Sequence, residues 1–533
     1  MTRPTKDVYV QESLPLVASM LQLLDRDPLS ETAGCFDRQY WHYRTMDFPC
    51  GMSQEFVLPL ALAWKHPFPD NPHHQQDRVR EWTLSGIDFA RRAAHKDGSC
   101  DDYYPFERAL GAAVYSLHGM AEAYRIVDGD DPNLVAFLAQ RARWVMAHGE
   151  SGVLANHHAI AAAALQSTAL VTGDDTFATA ARAKARETLS HQHDEGWFRE
   201  YDGFDPGYQT VTVDFLARYW RASGDDDVLE GLERAVELLE AAQHPDGTFG
   251  GEYAARSAYH AQPHGLELLA PRFPAAARVS DRLLGALTAG RRARNDDDRL
   301  QGHHVYSYLM AWVDFAPRDD APTRLQPDPA RTHLGACGVL IDRRREAFLI
   351  AGLAKGGPFR IYRGTDLVAN DSGVAIVTED DRVLVSHIGH DAEVTDDGAV
   401  VSTTQRFAYA TRERMTPVKL IVLRAVMITV GRWFRTLVRK LLQRRLITRK
   451  VGAPFTLTRT IERTDTGFRV TDSIKRGPGA PRAKHLRLGI GQTSTYVAVS
   501  QPWDPAWLLP WTDLDDRVNE LNDGGVVEIV RDW

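Results

Sequence analysis

The chain has 533 residues, 44% of them hydrophobic and 25% charged, a globular composition too long for one ordinary domain. Its 63 basic and 71 acidic side chains leave a formal charge of −8, which excludes the basic footprint of a general nucleic-acid binder. Cys35, Cys50, Cys100 and Cys337 form no C-x-x-C pair, so no thiolate zinc site is expected and reduced thiols fit an intracellular chain.

The opening residues, MTRPTKDVYVQESLP, lack the apolar run of a signal peptide. A cytoplasmic location is expected. Residues 1–320 then read as helical. LVAFLAQRARWVMAHG, HHAIAAAALQSTALVTG and VLEGLERAVELLEAAQ carry apolar residues at i, i+3, i+4 and i+7. Their alanine content favours helix and permits close packing. Gly98, Gly149, Gly196, Gly247 and Gly302 recur 47 to 55 residues apart. Each period holds two helices and two loops, so the pattern predicts helical hairpins closing into an α/α toroid, an incomplete barrel with one set of loops flooring a cleft. Aromatic residues follow three of these turns and suit sugar stacking, among them Tyr104, Trp197 and Tyr253.

The period changes in residues 321–533. Segments such as VLIDRRREAFLIAG, VAIVTEDDRVLVSHIG and FTLTRTIERTDTGFRVTDSIKR read as short strands with turns between. Strands without intervening helices predict an antiparallel β-sandwich. The boundary is placed in the Pro/Asp-rich stretch 316–332. Residues 416–450 interrupt the strands with a basic amphipathic helical pattern. Arg424, Arg432 and Arg435 break its apolar run too early for a membrane span. Packing on the protein, a protein partner and peripheral contact with an anionic membrane stay open for it.

Three runs in the helical part offer chemistry. Asn156-His157-His158 opens an alanine-rich helix, with Asn156 a candidate N-cap. Tyr208 lies 52 residues on, before another helix. A tyrosine there stacks on sugar, or transfers a proton where positive charge lowers its pKa. Arg256, a further repeat on, offers a carboxylate clamp. His260 and His264 stand close by, and the run CFDRQYWHYRTMDFP brings Trp41 and Arg44. Glu107 opens a glycosidase mechanism if a second carboxylate faces it across a cleft.

With Asn156-His157, Tyr208 and the Gly250-Gly251-x-Tyr253-x-x-Arg256 run, the sequence resembles the heparinase II/III-like and alginate-lyase-like polysaccharide lyases. The resemblance implies β-elimination on uronic-acid-containing glycans. Asn156, His157 and Arg256 would stabilise the aci-carboxylate and Tyr208 would move the protons. Arg44, Trp41, Tyr104, Glu107, His158, Trp197, Tyr253, His260 and His264 would bind substrate. No metal or organic cofactor is required by this chemistry. The family's sandwich His-x-His-x-Asp run is here Ser386-His387-Ile388-Gly389-His390-Asp391, with altered spacing. A glycoside hydrolase or uronate epimerase on the same scaffold, and a non-catalytic glycan-binding or scaffold protein of glycan assembly at the membrane, are the alternatives.

Overall fold

The computed structural model describes residues 5–149, 154–201, 203–291, 301–318, 330–388, 392–410, 416–443, 451–489, 508–509 and 511–533. Helices occupy the first part: α1 (Asp7–Leu23), the single turn α2 (Arg38–Trp41), α3 (Val57–Lys65), α4 (Asp77–Ala93), α5 (Leu110–Ile126), α6 (Pro132–Ala147), α7 (Ala155–Thr172), α8 (Asp175–Ser190), α9 (Pro206–Ser223), α10 (Leu229–Ala242), α11 (His264–Leu269), α12 (Pro274–Thr288) and α13 (Gln301–Val313). They form an α/α toroid. Helices α3, α5, α7, α9, α11 and α13 pack side by side as an inner ring, and α13 returns to α3 and α1. The even-numbered helices from α4 to α12 lie outside them.

Burial separates the two layers. From Ala155 to Ala169 every α7 residue except His157 is buried, so the helix needs no polar face, and its alanines let neighbours approach. The outer helix α4 buries only Val79, Thr83, Gly86, Ile87, Phe89 and Ala90 and shows charge to solvent. Asp131, Asp174 and Asp205 cap α6, α8 and α9, each accepting a backbone N–H in the first turn.

One turn type feeds α5, α9 and the segment before α11. His95, His193 and His244 each accept from the glycine three residues on and donate to the residue after it. Gly98, Gly196 and Gly247 take φ of 86° to 92°, which a side chain rarely adopts. The period breaks at the other two glycines. Gly149 has no positive φ, and Gly302 lies inside α13 rather than in a turn.

The β part is a sandwich of antiparallel sheets. One has order β1 (Ala330–Leu334), β2 (Val339–Arg344), β3 (Ala347–Gly352), β4 (Phe359–Arg363) and β5 (Asp366–Asp371). The other contains β6 (Val374–Thr378), β7 (Val383–Val385), β8 (Glu393–Asp396), β9 (Val400–Tyr409), β10 (Gly452–Arg463), β11 (Phe468–Arg476), β12 (Ala483–Leu488), β13 (Thr512–Asp513) and β14 (Val526–Asp532). Its order is β13-β12-β6-β7-β9-β10-β11-β14, with β8 on β9. The first sheet is covered on both faces. Val339, Ile341 and Ile350 meet Trp197, Phe204 and Tyr253 of the toroid loops. Leu340, Leu349 and Ile361 meet Val401, Ile461 and Val470 of the second sheet. Each fully buried aliphatic chain there contributes about 1.5–3 kcal/mol.

Arg459 staples the two sheets. It is fully buried, and its guanidinium donates to Asp472 of β11 at 2.6 and 3.0 Å and to Asp371 of β5 at 3.2 Å. The turn after β3 reaches the other way. Lys355 Nζ donates to the carbonyls of Glu252 and Ala254 at 2.5 and 2.7 Å.

Helices α14 (Pro417–Val426) and α15 (Arg435–Gln443) stand between β9 and β10, joined by a π-turn at Met427–Gly431. Their apolar side chains do not pack inward. Val418, Ile421, Val430, Trp433, Phe434 and Leu441 are all more than half exposed, while Met427 is buried. The hairpin touches the toroid through its cations instead: Arg424 pairs with Asp47, Arg435 lies 3.1 Å from His148 Nε2, and Arg439 lies 3.9 Å from Glu107. No helix among the described residues is long and apolar enough to cross a membrane. All four cysteines are buried, and none is in a disulfide. Residues 319–329 of the expected boundary, and 444–450 of the insertion, lie outside the described residues, as does His390.

Candidate functional site

The starts of α5, α7 and α9 face the same end of the ring, and Glu200 is the point on which their polar groups meet. Glu200 is fully buried in the loop before α9. Its Oε1 accepts from the backbone N–H of Asn156 at 3.1 Å and from Asn156 Nδ2 at 2.6 Å. Its Oε2 accepts from Arg256 Nη1 at 2.9 Å. Asn156 is therefore not the N-cap of α7. Leu154 holds that position, and Glu200 satisfies an orphan N–H of the first turn from outside the helix.

Asp205 joins the next two pieces. Its Oδ1 accepts from Tyr208 N at 3.1 Å, capping α9, and its Oδ2 accepts from Arg256 N at 2.9 Å and Ala258 N at 3.2 Å. Gly207 makes the approach possible, since a Cβ there would stand 2.9 Å from that of Ala258. The result sets the Arg256 guanidinium carbon 3.4 Å from the centre of the Tyr208 ring. His260 meets the same ring edge-to-face at 5.0 Å. On the far side His157 stands 6.4 Å from Tyr115, which lies 4.6 Å from His303. His303 Nδ1 is 3.0 Å from buried Glu55. Two residues beside this group, Tyr201 and Ser257, hold left-handed φ of 54° and 55°, a strain of the kind that gathers at functional loops.

The electrostatics follow from burial. Burial pushes the Tyr208 phenol well above its usual range, and the nearby Arg256 charge only offsets this. The condition of a pKa lowered by positive charge is therefore not met at Tyr208, and the phenol keeps its proton. Burial, with His303 and His304 adding to it, holds His260 well below the usual imidazole value. Among the described residues neither His260 nitrogen has a hydrogen-bond partner, nor do Arg256 Nε and Asn156 Oδ1. Asn156, Tyr208, Arg256 and His260 are 0 to 6% exposed, and only His157 of the group is half-buried. A cavity of about 210 Å³ lined by Phe48, Gln54, Phe89, Cys100, Asp101 and Arg141 shares none of these residues.

No family model matches the chain, and no curated protein does. Solved structures do match it. The chondroitin AC lyase of Streptomyces coelicolor A3, in complex with chondroitin sulphate, covers 90% of this chain and is covered over 67% of its own, with a TM-score of 0.53 and 12% identity. The chain has a polysaccharide-lyase-like fold. Heparinase III matches 83% of it, with a TM-score of 0.46 and 11% identity, and the chain spans 65% of that enzyme's length. The unsaturated glucuronyl hydrolase of Bacillus sp. GL1 matches 58%, with a TM-score of 0.41 and 14% identity.

Elsewhere in this fold the remaining sequence-derived residues scatter. Trp197 stacks on His193 and Tyr253 hydrogen-bonds His244 Nε2 at 2.9 Å, both in the seam against the first sheet. His158 turns away from Tyr208 toward Glu187 and His191 of the outer layer. His264 heads α11 and lies 2.8 Å from Asp314. Trp41 donates to the Leu23 carbonyl, and Arg44 is exposed. Tyr104 and Glu107 sit under α15. Burial and Glu107 raise Tyr104 to about 12, and burial and Asp102 raise Glu107 to about 7. Buried His387 follows β7.

Glu200, Asp205, Tyr115, Glu55 and His303 escape a reading of the sequence. Asp205-Pro206 carried a cap signal. A lone glutamate in a loop carries none.

Proposed function

We propose that the chain is a lyase that cleaves uronate-containing glycans by β-elimination. The observation that carries this reading is the convergence of an amide, a guanidinium, a phenol and imidazoles at one end of the inner ring. The proton α to the uronate carboxylate is weakly acidic, so its removal needs donors aimed at the carboxylate oxygens as charge builds there. Arg256, Asn156 and His157 supply them, with the unpartnered Nε of Arg256 left for the substrate. His260, neutral by burial, takes the α-proton. Tyr208, protonated by burial, delivers one to the departing 4-oxygen. In the resting state Glu200 holds both Asn156 and Arg256, so a bound uronate competes with it for them.

The test is incubation with uronate-containing oligosaccharides. Ultraviolet absorbance of a C4–C5 unsaturated uronate should rise, and Tyr208→Phe or Asn156→Ala should remove the rise. New reducing ends without that absorbance would mean hydrolysis instead. Neither signal would leave the second reading, a glycan-binding protein without catalysis, which the near-complete burial of the group favours.

The α14–α15 hairpin supports a place of action at a membrane surface in this reading. Residues 416–450 hold ten Lys and Arg and no Asp or Glu in a chain of net charge −8. Exposed apolar side chains beside such cations fit the cytoplasmic face of an anionic membrane. Flotation with anionic vesicles, lost on replacing Trp433 and Phe434 by serine, supports it. Equal flotation with neutral vesicles counts against it.

A further inference from the structure

Outside the group around Tyr208, three donors of another kind meet between the inner and outer rings. His158 lies near the start of α7. Glu187 and His191 share one face of the α8 end, four residues apart. His158 Nδ1 is 3.4 Å from Glu187 Oε1, and the two imidazole rings are 5.2 Å apart. One ligand atom from each of the three lies within 4.8 Å of the others. A tetrahedral ion with bonds of about 2.0–2.1 Å spaces its ligands roughly 3.3 Å apart, so torsional adjustment of about 1 Å completes the set.

We propose that His158, Glu187 and His191 bind a divalent transition ion of the zinc class. Two imidazoles and one carboxylate select such an ion over magnesium or calcium, which prefer all-oxygen shells. The protonation states suit ligation. Burial lowers His158 to about 4, so it is neutral at physiological pH. Burial works to raise Glu187, but the hydrogen bond from Lys184 leads the causes that lower it, and the carboxylate stays ionised. Lys184 Nζ donates to Glu187 Oε2 at 2.7 Å, which leaves Oε1 facing His158 and fixes the carboxylate as an outer-shell partner does. The Glu187 side chain is 42% exposed against 6% for His158. The site thus has an entry path and room for a water as fourth ligand. The ion would pin α8 to α7 directly behind His157. The proposal stands whether or not the chain cleaves a glycan.

The full chain, stripped with chelator, is titrated with zinc chloride by calorimetry and melted with and without the ion. Saturable binding of one zinc per chain and a rise in melting temperature are expected, with no response to magnesium. His191→Asn and Glu187→Gln should each weaken zinc binding by about tenfold or more while the metal-free melt stays in place. Cobalt(II) on the unaltered chain should show the intense visible bands of a four-coordinate ion. Absence of saturable zinc binding, undiminished binding by the double variant, or a cobalt spectrum like that of the hydrated ion would overturn the proposal.

Discussion

Glu200 does more for the site than the residues whose chemistry drew attention first. It is fully buried, and its two oxygens carry the Asn156 amide and the Arg256 guanidinium. Removing one partner of a buried ion pair costs about 3–5 kcal/mol. Glu200→Gln is therefore expected to lower the unfolding free energy read from denaturant melts by that much and to abolish any lyase activity with it. Tyr208→Phe should separate the two effects. The ring stays against Arg256, so stability holds, while loss of the proton donor lowers kcat by about 10²–10⁴. In the lyase reading, the pH profile of the unaltered chain should be broad. Its acid limb follows His260, held below the imidazole range, because the base must be free. Its alkaline limb follows Tyr208, held above the phenol range, because the acid must keep its proton. At this scale the sequence shows residue types and spacing but not burial. That is why the spacing leaves the direction of the Tyr208 shift open and gives Glu200 no role.

Among the elements, those with a local cause were legible. The inner helices announce themselves by alanine content, and Gly98, Gly196 and Gly247 mark turns that need positive φ. Strands β2, β3 and β4 read as apolar runs because the first sheet is covered on both faces. β5, with Asp366, Asn370 and Asp371, shows no such run, for its aspartates serve the Arg459 staple and the edge. The amphipathic period of 416–443 revealed helices but not that their apolar side would face solvent, since a period says nothing about what covers it. Two outcomes belong here. Arg459→Ala leaves buried Asp371 and Asp472 dependent on Arg531, which lies 2.7 and 2.6 Å from them, and urea melts should show a loss toward the lower end of about 3–5 kcal/mol. Glu107, beneath α15, rises from its usual 4.5 to about 7, so the folded chain holds a proton that the unfolded chain releases in that window. Its contribution is present below pH 4.5 and is lost as pH rises through 7. Glu107→Gln should flatten that slope in melting temperature against pH.

For the whole molecule, the two parts were legible from the change of period, and their mutual dependence was not. Trp197 and Tyr253, read as sugar-stacking groups, form with Phe204 the toroid's half of the seam with the first sheet. A fragment ending at residue 318 would bare them and should aggregate or melt earlier than the full chain by light scattering and calorimetry.

Across that seam Lys355 grips the strand of chain that leads into Arg256, and both of its bonds end on main-chain oxygens. Such a grip holds the main chain itself, and the buried Glu252 carboxylate attracts the same ammonium. The loop can change its residues at Ala254 and keep its hold, whereas the single ammonium has no substitute of the same reach and charge density. A small apolar replacement such as Lys355→Met would slacken the tether that keeps the guanidinium over its phenol, and faster amide exchange at 252–256 would register it before any loss of global fold.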